Sequence, residues 1–278
     1  MSWSEKRMGG FVKSSQFKES LLYVCLVYGF SGLIALFVLK SGVEDGILYR
    51  VLVVLATASP SITAILLMVA KLGISGAFHT LKEMLDFKLA IRLYWVILIL
   101  PFAFMLAGKT LAWLIFGLAP IWIVIPDTIV TSLVSPLGEE FGWRGYLTGR
   151  LLKHFNPVQS SVILGLVWAG WHYWFYLIPG PFSIEIPFLF FVLSCIADTA
   201  WYTYFFVRSG GSVVTALLFH FAYNLSYRVI PIRTSLYSGN SWPYLLTVIL
   251  ELLAGFWALT RKLVERLNEK MANSTDMA

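Results

Sequence analysis

The segment GEEFGWRGYL, Gly138 to Leu147, sets two adjacent carboxylates and a guanidinium beside one of the most hydrophobic runs of the chain. On a helix, Glu140 and Arg144 stand at i and i+4, share a face and can pair. Glu139 is rotated by roughly 100° from Glu140 and has no partner in its own turn. A carboxylate held at a membrane boundary without a cation suits a general base. The plainer reading is that both acids end a helix at the lipid headgroups.

Two further pairs repeat the four-residue spacing, Trp168 with His172 and His220 with Asn224. A single histidine in such surroundings is usually a hydrogen-bonded packing residue. Two imidazoles, an amide and a carboxylate pair together supply what activates a water and stabilises an oxyanion. The chemistry expected is hydrolysis of an acyl bond. The candidate catalytic set is Glu139, Glu140, His172, His220 and Asn224, with Arg144 and Trp168 orienting it. In one route His172, His220 and Glu139 hold a Zn²⁺ that acidifies its bound water. In the other Glu139, aided by His172, deprotonates water directly, while His220 and Asn224 donate to the oxyanion. The chain has no HExxH motif, so zinc lacks its usual local pattern.

The elements that must position these groups are membrane helices. Of 278 residues 58% are hydrophobic and 13% charged, and the mean hydropathy is +0.77; a soluble domain of this size needs more charge to cover its surface. The class is an all-α polytopic membrane protein with about eight transmembrane helices, each of about 20 apolar residues, and a site inside the bundle near its cytoplasmic side. The spans expected are Leu21–Leu39, Val51–Ala70, Leu93–Ala107, Leu111–Val134, Ser160–Ile178, Pro187–Val207, Val213–Val229 and Tyr244–Thr260, with Pro120 and Pro126 interrupting the fourth. With both termini in the cytoplasm, 16 of the 21 Lys and Arg residues fall on inner segments and 5 (Lys40, Arg50, Lys109, Arg228 and Arg233) on outer ones. In a prokaryote the membrane would be the inner one.

The rest of the chain organises around that bundle. It reads as one domain: a cytoplasmic segment 1–20, an amphipathic cytoplasmic segment 71–92 lying on the membrane surface, core motifs over 139–224, and a cytoplasmic tail 261–278 that frays into solvent. Cys25 and Cys195 read as small buried hydrophobes. Asp198 and Glu251 read as structural, each paired with a tyrosine or with Arg228. The run WAGWHYWFY, Trp168 to Tyr176, could wall a channel beside His172. The net charge of +6 marks cytoplasmic loops rather than nucleic-acid binding. The partners expected are membrane lipid and a peptide or protein substrate at the membrane.

Glu139-Glu140-xxx-Arg144, then Trp168-xxx-His172, then His220-xxx-Asn224, in that order on successive helices, resemble the CPBP intramembrane proteases, also called the Abi family. That family takes in the CAAX prenyl endopeptidases related to the Ras-converting enzyme and bacterial proteins linked to bacteriocin immunity. The resemblance implies that Glu139 and His172 activate the attacking water, and that His220 and Asn224 stabilise the tetrahedral intermediate or bind metal. It gives Glu140 and Arg144 a supporting role. Trp168 stands where the family usually has Phe. The substrate implied is a membrane-associated peptide, of prenylated CAAX type by family precedent. A non-enzymatic immunity factor acting by binding, or a proton-linked transporter, is the competing class; the paired halves common in transporters are not visible.

Overall fold

The fold is described from a computed structural model, which covers residues 3–87, 89–122, 128–180 and 184–275, with side chains described over 17–87, 89–122, 132–180 and 184–261. The helices are α1 Trp3–Ser41, α2 Gly46–Thr57, α3 Ser59–Met84, α4 Ile91–Phe116, α5 Thr128–Glu140, a π-helical stretch Phe141–Thr148, α6 Gly149–Leu151, α7 Pro157–Trp171, α8 Trp174–Leu177, α9 Phe188–Arg208, α10 Val214–Val229 and α11 Trp242–Thr275, with a 3₁₀ turn at Thr234–Tyr237. No strand occurs among the described residues. The all-helical class holds.

Five of these helices are long and apolar enough to cross a membrane: Phe17–Ser41, Ser59–Met84, Ile91–Phe116, Phe188–Arg208 and Trp242–Arg261. The chain is a multi-pass membrane protein. The count of eight is not reproduced. Val51–Ala70 straddles the break between α2 and α3, where Ala58 caps one helix and Pro60 opens the next. Leu111–Val134 is no single helix: Gly117, at φ 69°, ends α4 with its amide bonded back to the Trp113 carbonyl. Of its two interrupting prolines, Pro120 follows that cap and Pro126 lies outside the described residues. Ser160–Ile178 and Val213–Val229 fold as α7 and α10, of 15 and 16 residues. At 1.5 Å per residue these reach roughly 22–24 Å, short of the ~30 Å hydrocarbon core. They are inner helices, packed on α9 and on α4 and α5 respectively, and they carry His172 and His220.

One smaller expectation gains detail and two are corrected. The 71–92 segment is helical as far as Met84, continuing α3 past a kink at Gly73 (φ 71°); Ile74, Phe78 and Phe87 stand exposed along it, while Lys88 lies outside the described residues. The tail does not fray after Thr260: α11 runs on to Thr275, because 261–275 has neither Gly nor Pro and is rich in Lys, Arg, Glu and Leu. Cys25 is exposed, and only Cys195 is buried. Exposed Leu33, Trp95, Leu114, Leu253 and Trp257 clad the outside in apolar surface, as a lipid-facing bundle requires.

Glycines bring the helices close. A Cβ on Gly165 of α7 would stand 2.7 Å from the Ile196 Cα of α9, and one on Gly108 of α4 would run into Thr247 of α11. Such small residues substitute for hydrophobic drive inside lipid, where backbones gain by close approach. Gly142 matters most for the site, since it lets the π-helical stretch meet α3 at the Pro60 carbonyl and the Tyr23 hydroxyl, which is itself hydrogen-bonded to that carbonyl at 3.2 Å. Gly142→Ala drives a methyl into backbone that cannot yield. The expected loss is about 1–3 kcal/mol, read as a lowered midpoint of thermal unfolding in detergent; an unchanged midpoint contradicts this packing.

Candidate active site

Glu139 and Glu140 do not end a helix. The chain continues from Glu140 through the π turn and α6 to Leu151, so both acids sit within a helical run and face neighbouring helices. The widened turn contains Gly142 and Gly145, the latter pressed against Met84 Sδ. π-helical turns are frequent at functional sites. Thr148 Oγ1 donates to the Trp143 carbonyl five residues back.

The pair expected within this segment is present. Arg144 Nη1 donates to Glu140 Oε1 at 2.9 Å, with neither side chain exposed. The guanidinium lies over Tyr202 at 3.6 Å and over Trp168 at 4.4 Å, and its Nη2 reaches Thr199 Oγ1 at 3.5 Å. Spacing alone did not show the second partner of Glu140: His220 Nδ1, from α10, lies 2.7 Å from the same oxygen. Because a carboxylate only accepts, that ring nitrogen carries the proton. Glu140 Oε1 is thus met by a guanidinium and an imidazole, while its Oε2 is buried without a hydrogen-bond partner among the described residues; neither Glu139 nor Glu140 is among the residues that line the neighbouring cavity.

Glu139 is 2% exposed where Glu140 is fully buried. Its Oε2 accepts from Trp168 Nε1 at 2.6 Å, a bond that a phenylalanine could not provide. His172 does not lie within α7 but caps its C-terminus, and its Nδ1 donates to the Trp168 carbonyl at 2.8 Å. Nε2 is left as the acceptor edge. Trp168 thereby sits at the centre, its ring 5.1 Å from that of His172 and 5.8 Å from that of His220. Asn224 donates through Nδ2 to Ser135 Oγ at 2.8 Å, and Ser135 lies 3.5 Å from His220 Nε2. Ser135 and Tyr202 were missed, since nothing in their sequence neighbourhood marks them out.

A cavity of about 380 Å³ opens beside these groups, lined by Trp168, His172, His220 and Asn224 together with Phe191, Tyr223 and Asp198. Its rim includes Glu185, Arg233 and Thr234, on the α8–α9 and α10–α11 connections. The other end of α9 and α10 carries the 209–213 turn, where the Val213 amide donates to the Met84 carbonyl at 2.8 Å. The cavity is lined from the α8–α9 and α10–α11 connections, at the opposite end of α9 and α10 from that turn. Of the aromatic run only Trp168 and His172 line it; Trp171 and Trp174 are buried behind. Asp198 and Glu251 pair with neither a tyrosine nor Arg228: buried on α9 and α11, they meet each other.

The donor set for zinc was tested on the same geometry. Both imidazoles commit Nδ1 to an acceptor, the orientation that metal-bound histidines show, with Ser135 Oγ 3.5 Å from His220 Nε2. Even so, among the described residues no three His, Cys, Asp or Glu side chains are gathered closely enough to hold a metal ion. As placed, His172, His220 and Glu139 are not gathered into a zinc ligand set.

Comparison with known proteins covers the same part of the chain. Residues 120–226 match the family described as type II CAAX prenyl endopeptidase Rce1-like. A stretch of 106 residues is 27% identical to the CAAX prenyl protease 2 of Methanococcus maripaludis, covering 36% of this chain and 39% of that protein. The chain thus matches well under half the length of that curated relative.

Proposed function

We propose that this protein, whose residues 120–226 are similar to the CAAX prenyl endopeptidases, is an intramembrane endopeptidase that hydrolyses a peptide bond of a membrane-associated substrate, the prenylated CAAX-type tail being the class those relatives suggest. The observation that carries the reading is the contrast between the two acids: Glu140 Oε1 is met by the Arg144 guanidinium and the His220 imidazole, whereas Glu139 is held through Oε2 by the neutral Trp168 indole.

In this reading a water enters beside Glu139. Its Oε1 takes one proton, while His172 Nε2, turned by the Trp168 carbonyl, accepts the other hydrogen and holds the oxygen in line. The hydroxide oxygen bonds to the scissile carbonyl carbon. Asn224 spends one Nδ2 hydrogen on Ser135 and offers the second to the oxyanion. His220, entering the step as an imidazolium with Glu140 against its Nδ1, donates from Nε2 to the same oxygen and keeps that proton when the carbonyl re-forms. The C–N bond then breaks, and Glu139 returns its proton to the leaving nitrogen.

The test is direct. Purified protein in detergent is incubated with a farnesylated CAAX-tailed peptide and with an unmodified apolar membrane peptide, and products are read by mass spectrometry. One new carboxyl and one new amino terminus per turnover are expected. Absence of any cleavage, with retained protection of cells against a bacteriocin, would instead favour action by binding.

A further inference from the structure

The polar face of α10 does not stop at the groups used above. His220, Asn224 and Arg228 recur at four-residue intervals, and all three line the cavity. At 1.5 Å per residue, Arg228 is displaced by about 12 Å along the helix axis from His220. Arg233, just beyond α10, lines the same end, lies 5.6 Å from the Tyr227 ring and interacts electrostatically with Arg228. Both arginines are partly buried. Neither forms an ion pair among the described residues. Exposed Glu185 shares the rim but bridges to neither.

Two like charges kept together at the mouth of a largely aromatic cavity repel, and an anion between them removes that cost. Guanidinium forks match a carboxylate, which they bind through paired hydrogen bonds. The offset of about 12 Å from the reacting centre corresponds to three or four residues of extended chain at ~3.3–3.6 Å each, so the anion belongs to the molecule being cut. We propose that Arg228 and Arg233 form the receptor for the free C-terminal carboxylate of the peptide substrate and thereby set cleavage close to the end of the chain. The inference rests on the proteolytic reading given above.

Two peptides of one sequence, one ending in a free carboxylate and one in an amide, distinguish the outcomes. The wild-type protein is expected to cleave the acid about tenfold or more better in kcat/KM, chiefly through KM. Arg228→Gln and Arg233→Gln should lower kcat/KM for the acid by a similar factor and leave the amide within about twofold, whereas Arg228→Lys retains part of the preference. Equal cleavage of both peptides by the wild type overturns the proposal, as does a Gln variant that slows both alike. It is also overturned if the two Gln variants lose only binding to phosphatidylglycerol nanodiscs while the acid preference persists. Should no peptide be cleaved, dansyl-labelled acid and amide peptides are titrated onto the wild type and Arg228→Gln. A preference for the acid that the variant loses then supports the receptor while the proteolytic reading falls; no preference removes the receptor as well.

Discussion

Replacing Glu139 by glutamine should lower kcat by about 10²–10⁴-fold, the usual worth of a positioned general base, with the protein still folded. The side-chain amide introduced by Glu139→Gln keeps an oxygen for the Trp168 indole, so the 2.6 Å bond and its packing survive. Only the ability to take a proton is removed. A structural role predicts the opposite pattern, an active but less stable variant. Trp168→Phe separates binding of the carboxylate from its basicity. The ring that touches His172 and His220 remains in kind, the donor to Oε2 is lost, and a smaller fall in kcat is expected. Turnover measured on a common peptide, with thermal unfolding of each variant, reads both effects. Wild-type turnover in a folded Glu139→Gln protein ends the proposed mechanism.

Arg144→Met should unfold the bundle more than any other single exchange considered. The guanidinium is fully buried, pairs with Glu140 at 2.9 Å and is stacked between Tyr202 and Trp168. Removing it strands a carboxylate that no solvent reaches, at a cost of about 3–5 kcal/mol. Arg144→Lys is not a conservative exchange, because a point ammonium cannot lie flat on two rings and serve Glu140 at once. The double variant Glu140→Gln with Arg144→Met leaves no buried charge unpaired and should recover part of the stability. Activity should not return with it, since His220 has lost the carboxylate acceptor for its Nδ1. Unfolding midpoints of the two singles and the double close the cycle. A single Arg144→Met variant as stable as the wild type refutes the assignment.

These outcomes also divide what local patterns reveal from what they conceal. Four-residue spacing correctly paired Glu140 with Arg144, set Trp168 beside His172 with their rings edge to face, and put His220 and Asn224 on one face. Helical geometry dictates such neighbours whatever surrounds the helix. Composition likewise announced lipid, and the long apolar runs of α1, α4, α9 and α11 were legible because each is one continuous helix, with even Pro101 held inside α4. The count failed where glycine and proline break the backbone, at Ala58–Pro60 and at Gly117, and where α7 and α10 are shorter than a bilayer because other helices, not lipid, surround them.

Composition and spacing by themselves determined a helical membrane protein that carries two acids, an arginine, two histidines and an asparagine in an order suited to hydrolysis. Only the tertiary structure decided which acid meets the cationic side chains and which meets the indole. His220 reaches Glu140 across 80 residues of chain, Trp168 reaches Glu139 across 29, and Ser135 reaches Asn224 across 89. Those choices depend on how far one helix is rotated against another, which glycine contacts and a π-helical turn set to within about an ångström. A one-dimensional pattern holds the angle between residues on one helix, but not the angle between helices.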